Sequence, residues 1–204
     1  MATGDVLTAS RYNAEVVANT LAGGPIYATE ALRNAAIPTP FEGQRAYITG
    51  STETTATGAT SGTGMVPTGI QTIYNGAGWV TVTPVGAASD GASAAVSTPY
   101  TTLLVSSIAT SVTLRTGTSA LVSFAGRNLA TANYYSLNVA VTSSPTVAAQ
   151  TQGTIITNGY LGSFGKTNIY TGLTAGLNTF TLQALANAGT ITYDYLSLAV
   201  KGIA

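Results

Sequence analysis

The sequence predicts a mainly β protein. Short N-terminal helices and a hairpin module are followed by an antiparallel β-sandwich, jelly-roll-like, in a symmetric homo-oligomer. Three observations carry this expectation. From Tyr100 onward the chain is a succession of short runs rich in Val, Thr, Leu and Tyr, divided by Gly, Asn and Pro. No strand-helix-strand alternation runs through them, which disfavours a parallel α/β fold. Charged residues make up only 7% of the chain, so the strand faces carry Thr, Ser, Asn and Ala where monomeric β-proteins commonly blunt their edges with charge. Faces and edges of that kind are expected to be buried between identical subunits.

Two regions are expected, an adaptor-like region over 1–99 and the sandwich over 100–204. Eight of the fourteen charged residues lie at or before Glu53, which sets the first region apart. Residues 8–22 read as a helix with Ala14, Val17, Ala18 and Leu21 on one stripe, stopped by Gly23, Gly24 and Pro25. A second helix is expected over 30–36, with Thr29 as its cap and Glu30 and Arg33 exposed. Pro38 and Pro40 follow in extended chain. Both helices are too short to stand alone in water and must dock on something.

A strand is expected over 45–49, then a Thr-, Gly- and Ala-rich loop over 50–69. A hairpin over 71–82 turns at Asn75-Gly76, a pair that tolerates positive φ. Residues 84–99, with two prolines and two glycines among small residues, read as linker. Strands are then expected over 103–106, 111–115, 120–124, 134–142, 154–157, 179–183 and 190–200. In 134–142 the alternation puts Tyr135, Leu137, Val139 and Val141 on one face.

The inventory excludes several chemistries. With no histidine or cysteine in 204 residues, neither a usual zinc site nor a Ser-His-Asp triad can be built. After residue 100 the only carboxylate side chain is Asp194, so a glycosidase pair cannot form there. Gly165-Lys166-Thr167 is the tail of a phosphate-loop motif, but Tyr160 stands where the first glycine belongs. Calcium needs a cluster of oxygen ligands with acidic members, and the 50–69 loop offers Glu53 alone. No catalytic, cofactor or metal residues are therefore assigned, and the expectation is a protein that is not an enzyme.

Seven basic and seven acidic residues balance and form no basic stripe, against nucleic acid as the main ligand. No apolar run approaches the roughly 20 residues of a spanning helix. The opening 24 residues lack the basic start and apolar stretch of a secretory signal.

What remains is tyrosine beside asparagine, a pairing in which a flat ring stacks on a sugar while amides reach its hydroxyls. Tyr134, Tyr160, Tyr170, Asn158 and Asn168 are the candidate contacts with an uncharged glycan or a partner. The bland alternative packs most of these rings, Tyr193 and Tyr195 included, into the core or between subunits.

Several segments resemble a known family. Ala31-Leu32-Arg33-Asn34-Ala35-Ala36-Ile37-Pro38 precedes Glu42-Gly43-Gln44-Arg45-Ala46-Tyr47-Ile48-Thr49, and Ile73-Tyr74-Asn75-Gly76-Ala77-Gly78-Trp79 follows. This succession resembles a module of tailed-bacteriophage virion proteins, found in tail fibres, head fibres and related appendages. Leu7-Thr8-Ala9-Ser10-Arg11-Tyr12-Asn13 is similar to the start of some phage structural proteins. Gly172-Leu173-Thr174-Ala175-Gly176-Leu177-Asn178-Thr179-Phe180-Thr181-Leu182 resembles phage-borne β-sandwich or jelly-roll modules.

The resemblance implies a structural role in the virion and trimerisation, with Tyr47, Tyr74 and Trp79 in the anchoring module. Its implied partners are further copies of the chain, capsid or tail proteins, and host-surface glycans. Residues 50–69 are an insertion before the hairpin, and the chain has no long repetitive shaft. A surface fibre or appendage that attaches to host glycans is the first expectation. A capsid decoration protein that stabilises the head is the alternative, and a free carbohydrate-binding module is a second.

Overall fold

The computed structural model describes residues 23–58, 66–95, 101–102, 104–105, 108–129, 134–142, 154–157, 161–186 and 190–204. The expected helix over 8–22 lies outside them. The first elements are β1 (Ile26–Tyr27), α1 (Glu30–Ala36), β2 (Arg45–Ile48), β3 (Thr55–Thr57), β4 (Ile70–Tyr74), β5 (Trp79–Thr81) and β6 (Val85–Ala95). Then come β7 (Thr101–Thr102), β8 (Leu104–Val105), β9 (Ile108–Ala109), β10 (Ser111–Thr116), β11 (Ser119–Leu129) and β12 (Tyr134–Thr142). The last are β13 (Thr154–Thr157), β14 (Leu161–Thr171), β15 (Gly176–Ala186) and β16 (Thr190–Ile203). The protein is mainly β, as the strand-length runs predict.

Two sheets form the sandwich. The front sheet has the order β14-β11-β16-β6, all antiparallel. The back sheet has the order β13-β12-β15-β10-β3, with β7 also paired to β15. Between them one core gathers Val112 and Leu114 of β10, Leu137, Val139 and Val141 of β12, and Phe180 and Leu182 of β15. Against these lie Ala120, Val122 and Phe124 of β11, Tyr170 of β14, and Leu196, Leu198 and Val200 of β16. Each is an alternate residue of its strand, which is how a period of two sends one set inward. A fully buried Val, Leu or Phe contributes roughly 1.5–3 kcal/mol, so this layer dominates stability.

The small N-terminal sheet has the order β1-β2-β4-β5, with β1 parallel to β2 and the rest antiparallel. Its hairpin turns as the Asn-Gly pair predicts. Gly76 takes φ +86°, and the Asn75 side chain accepts from Ala77 N at 3.1 Å and Gly78 N at 2.9 Å. Strand β5 lies against β10 and β16. That approach needs a residue without a side chain: a Cβ on Gly202 would stand 2.6 Å from Val80 Cγ1 and 2.7 Å from Thr81 O.

Four readings are corrected. Residues 84–99 are not all linker, because β6 pairs with β16 from Val85↔Val200 to Ala95↔Thr190. Its Ala, Gly and Ser residues have weak strand preference, and a long neighbouring strand overrides that. The 50–69 loop contains β3, which extends the back sheet beside β10. The sandwich thus draws strands from both sides of residue 99. Residues 161–171 were not expected to be one continuous strand, yet β14 pairs with β11 along its full length.

The fourth correction concerns α1. Thr29 caps it, with Oγ1 accepting from Leu32 N at 3.3 Å, but Glu30 and Arg33 are buried while Leu32 is 55% exposed. The helix is turned over because polar partners wait beneath it. The Glu30 carboxylate accepts from Ser51 Oγ, Thr52 N and Thr52 Oγ1. The Arg33 guanidinium lies 4.4 Å over the Trp79 ring and donates to Thr72 Oγ1 at 3.3 Å and to Asn34 Oδ1.

Candidate functional site

The outer face of the front sheet is a trough, and its composition follows from strand register. Residues paired across neighbouring strands share a face. One row reads Ser163–Arg127–Tyr195–Asp90 across β14, β11, β16 and β6. The next two read Gly165–Ala125–Ser197–Ala88 and Thr167–Ser123–Ala199–Gly86. The fourth brings Ile169, Leu121 and Lys201 together. Eight small side chains therefore floor a depression between an aromatic and polar wall and an apolar one.

The depression has a volume of about 490 Å³, within the range of roughly 300–1,000 Å³ seen for small-ligand sites. Across four strands at about 4.8 Å spacing it is about 14 Å wide. Asp90, Arg127, Ser163 and Tyr195 also line a second hollow of about 380 Å³. The Tyr195 ring is 43% exposed, and Ile169 opposite is 60% exposed. The floor is partly polar, with the hydroxyls of Ser123 and Thr167 in contact at 2.8 Å. Arg127, Lys201 and Asp90 lie on this face in a chain with few charges.

Tyr195 reaches this face through an irregularity in β16. Arg127 pairs with Tyr195, but the next residue, Asn128, pairs with Tyr193. Asp194 is thus an extra residue opposite β11. A bulge of this kind breaks alternation and re-aims side chains. Tyr193 is consequently buried in the core, and Tyr195 faces out.

The predicted contacts are distributed differently. Tyr134 begins β12 opposite Thr157; its side chain lies outside the described residues, as do Asn158 and Tyr160 altogether. Tyr170 is not a surface contact: it is 1% exposed, meets Phe180 edge-on at 6.4 Å and donates to Asn138 Oδ1 at 3.2 Å. Asn168 also faces inward, paired with Val122, and its buried Nδ2 has no hydrogen-bond partner among the described residues. Both turn inward because even-numbered residues of β14 pair with buried residues of β11, leaving only the odd ones to the trough. Arg127 and Asp90 were not selected from sequence. Tyr195 was noted only among the aromatics, because simple alternation places it on the same face as Tyr193.

In the small sheet, Tyr74 and Trp79 pair directly, with ring centroids 5.7 Å apart at 67°. Trp79, only 8% exposed, packs inside the chain beneath Arg33 and is not a free docking residue. Tyr47 lies on the other face of the sheet, paired with Gln71, and its ring closes on Gly69.

A charged group joins this module to the sandwich. Arg115 of β10 donates through Nε and Nη2 to the Glu53 carboxylate. That hydrogen bond raises the Arg115 pKa against the opposing effect of burial. Burial lowers the Arg33 pKa, countered by the charges of Glu53 and Glu30. Burial alone would raise the pKa of Glu30, but hydrogen bonds led by Ser51 outweigh it and leave the carboxyl below its usual value. Among the described residues no group of three or more His, Cys, Asp or Glu is placed to hold a metal, and no helix is long and apolar enough to cross a membrane.

Comparison with protein families and with curated proteins finds no match. Among solved structures the chain is similar to one described as infectious bursal disease virus, Gx strain, with TM-score 0.38 and 11% identity over 66% of this chain and 42% of that one. It is also similar to a family 35 carbohydrate-binding module from Clostridium thermocellum, with TM-score 0.30 and 16% identity over 57% of this chain and 98% of that one. A third likeness is to the CBM22-1–GH10 modules of Clostridium thermocellum endo-1,4-β-D-xylanase 10B complexed with xylohexaose. Here the TM-score is 0.27 at 12% identity, over 56% of this chain and 27% of that one. The chain spans less than half the length of the first of these structures, and none of the three defines a family for it.

Proposed function

We propose that this chain is a non-enzymatic structural protein of a tailed-bacteriophage virion, a homotrimeric surface appendage whose sandwich carries a recognition face toward the host cell. The observation that carries the recognition role is the trough. It is an open, small-floored depression with an exposed aromatic ring at one end, set on a rigid four-stranded sheet. A site built on strands holds its contacts in place better than one built on loops. The virion assignment rests on the segments around Arg33, Tyr47 and Trp79 that resemble phage appendage modules. In this reading the small sheet anchors the protein to the particle, and its exposed Ile26, Leu32 and Phe41 are apolar side chains available to a neighbour.

The back sheet suits contact between copies. Its outer face carries the row Thr55–Thr113–Thr179–Thr142 and beside it Thr57–Ser111–Thr181–Ala140. Rows of this kind can be buried without stranding ions, and Arg115 beside them in register is paired with Glu53.

The alternative is a capsid decoration protein. Antibody–gold labelling of intact particles tests the assignment. Gold at the tail tip or on appendages is expected. Gold spread evenly over heads, with copy number matching the capsid lattice, replaces the appendage with the decoration protein. Particles without label refute both.

A further inference from the structure

We infer that the front-sheet trough binds a pyranose oligosaccharide, with Tyr195 as the stacking platform and Asp90 and Arg127 as the hydroxyl-binding groups. This deepens the appendage reading by naming the ligand class and the site.

The argument begins with the chemistry of the wall. A pyranose ring presents an apolar face of C–H bonds and a rim of hydroxyls. Tyr195 offers a 43% exposed ring for the apolar face. It stands between Arg127 on β11 and Asp90 on β6 in one cross-strand row. Adjacent strands are about 4.8 Å apart, so a donor and an acceptor flank the ring at one-strand spacing. Arg127 supplies donors and the carboxyl oxygens of Asp90 supply acceptors, a complementary pair for hydroxyls that both donate and accept. Ser163 extends the row with a further hydroxyl.

The floor argues for the same occupant. Gly86, Ala88, Ala125, Gly165 and Ala199 keep the sheet low, so a flat ring can lie on the backbone surface. Ser123, Ser197 and Thr167 supply short hydroxyls among them. A protein partner would be expected to insert large apolar anchors into matching pockets, and a floor of small residues across four strands has none. A peptide strand would pair with a free sheet edge, whereas this face is the middle of the sheet. The trough is open, so chains longer than one residue can continue beyond the wall.

The test uses the full-length protein on a printed array of purified bacterial surface polysaccharides, neutral and acidic, with three variants. Tyr195→Ala removes the platform. Ala125→Phe plugs the floor from the solvent side. Thr39→Ala, at an exposed position after α1 and away from the sandwich faces, serves as the control. Folding of each variant is checked by the emission of Trp79. The inference expects retention on at least one polysaccharide, weakened about tenfold by Tyr195→Ala, abolished by Ala125→Phe and unchanged by Thr39→Ala.

Retention on none of the polysaccharides overturns the inference, as does retention indifferent to both trough variants. Gold labelling of virions is scored separately. Labelled particles without polysaccharide retention leave the appendage standing and remove this site. Trough-dependent retention without labelled particles leaves the site standing and removes the appendage.

Discussion

Tyr193 and Tyr195 stand two residues apart on one strand, yet the first is fully buried and the second is 43% exposed. In a regular strand they would share a face. The register break opposite Arg127 and Asn128 separates them, so one residue completes the core and the other builds the trough wall. The bulge is thus the local device by which β16 serves both sides of its sheet.

The two rings should respond oppositely to truncation. Tyr193→Ala opens a cavity in the core and is expected to lose about 3–5 kcal/mol of stability. Tyr195→Ala, on the exposed face, should change stability by less than about 0.5 kcal/mol. Urea denaturation of the two variants beside wild type measures both. Equal losses would show that the strand does not divide its faces at Asp194.

Arg33 and Trp79 provide a second pair with a direct readout. The chain has one tryptophan, and the guanidinium lies 4.4 Å above its ring. Arg33→Ala removes that contact and the hydrogen bond to Thr72, and should cost about 2 kcal/mol. It should also shift Trp79 emission to the red as water reaches the indole. Arg33→Lys should recover only part of both effects, because an ammonium cannot lie flat on the ring while donating sideways.

The close approach of the small sheet to the sandwich rests on Gly202. Gly202→Ala puts a methyl group 2.6 Å from Val80 Cγ1 and 2.7 Å from Thr81 O, one of them a backbone atom that cannot rotate away. Overpacking of this kind is expected to cost about 1–3 kcal/mol and lower the melting temperature. The same change at Gly43, where nothing lies within 4 Å but φ is +83°, should cost about 1 kcal/mol through backbone strain alone.

Acid should destabilise the fold in part through Glu30. Its carboxyl has a folded pKa below the usual value, with the hydrogen bonds from Ser51 and Thr52 outweighing burial. A lowered folded pKa means the unfolded chain takes up the proton first. The stabilisation is therefore complete above the unfolded glutamate value of about 4.3 and is lost as pH falls through the folded value. Denaturant midpoints from pH 7 down to pH 3 should decline less steeply in Glu30→Gln than in wild type.

Much of the framework was legible in the residues. The strand-length apolar runs, the Asn75-Gly76 turn and the Thr29 cap each act through neighbours a few positions away, and each lies where the structure has it. The trough was not legible in the same way. Its rows join residues from four strands, such as Ser163, Arg127, Tyr195 and Asp90, and no local pattern says which strands will be neighbours. The low β-preference of the 85–95 segment concealed β6 for the same reason: its partner is about a hundred residues away in β16.

The sequence by itself determined that this protein is mainly β and that it lacks the histidine and cysteine on which many active sites depend. Those properties follow from composition and local periodicity, which do not need a partner strand to be read. Only the tertiary structure decided which way Tyr170, Tyr193 and Tyr195 point, and it reversed the expected face of α1. Burial of Tyr170, exposure of Tyr195 and the inward turn of Arg33 are set by register, by one extra residue in β16 and by the groups waiting across the contact. These are long-range pairings, and their energies exist only once the chain has closed on itself.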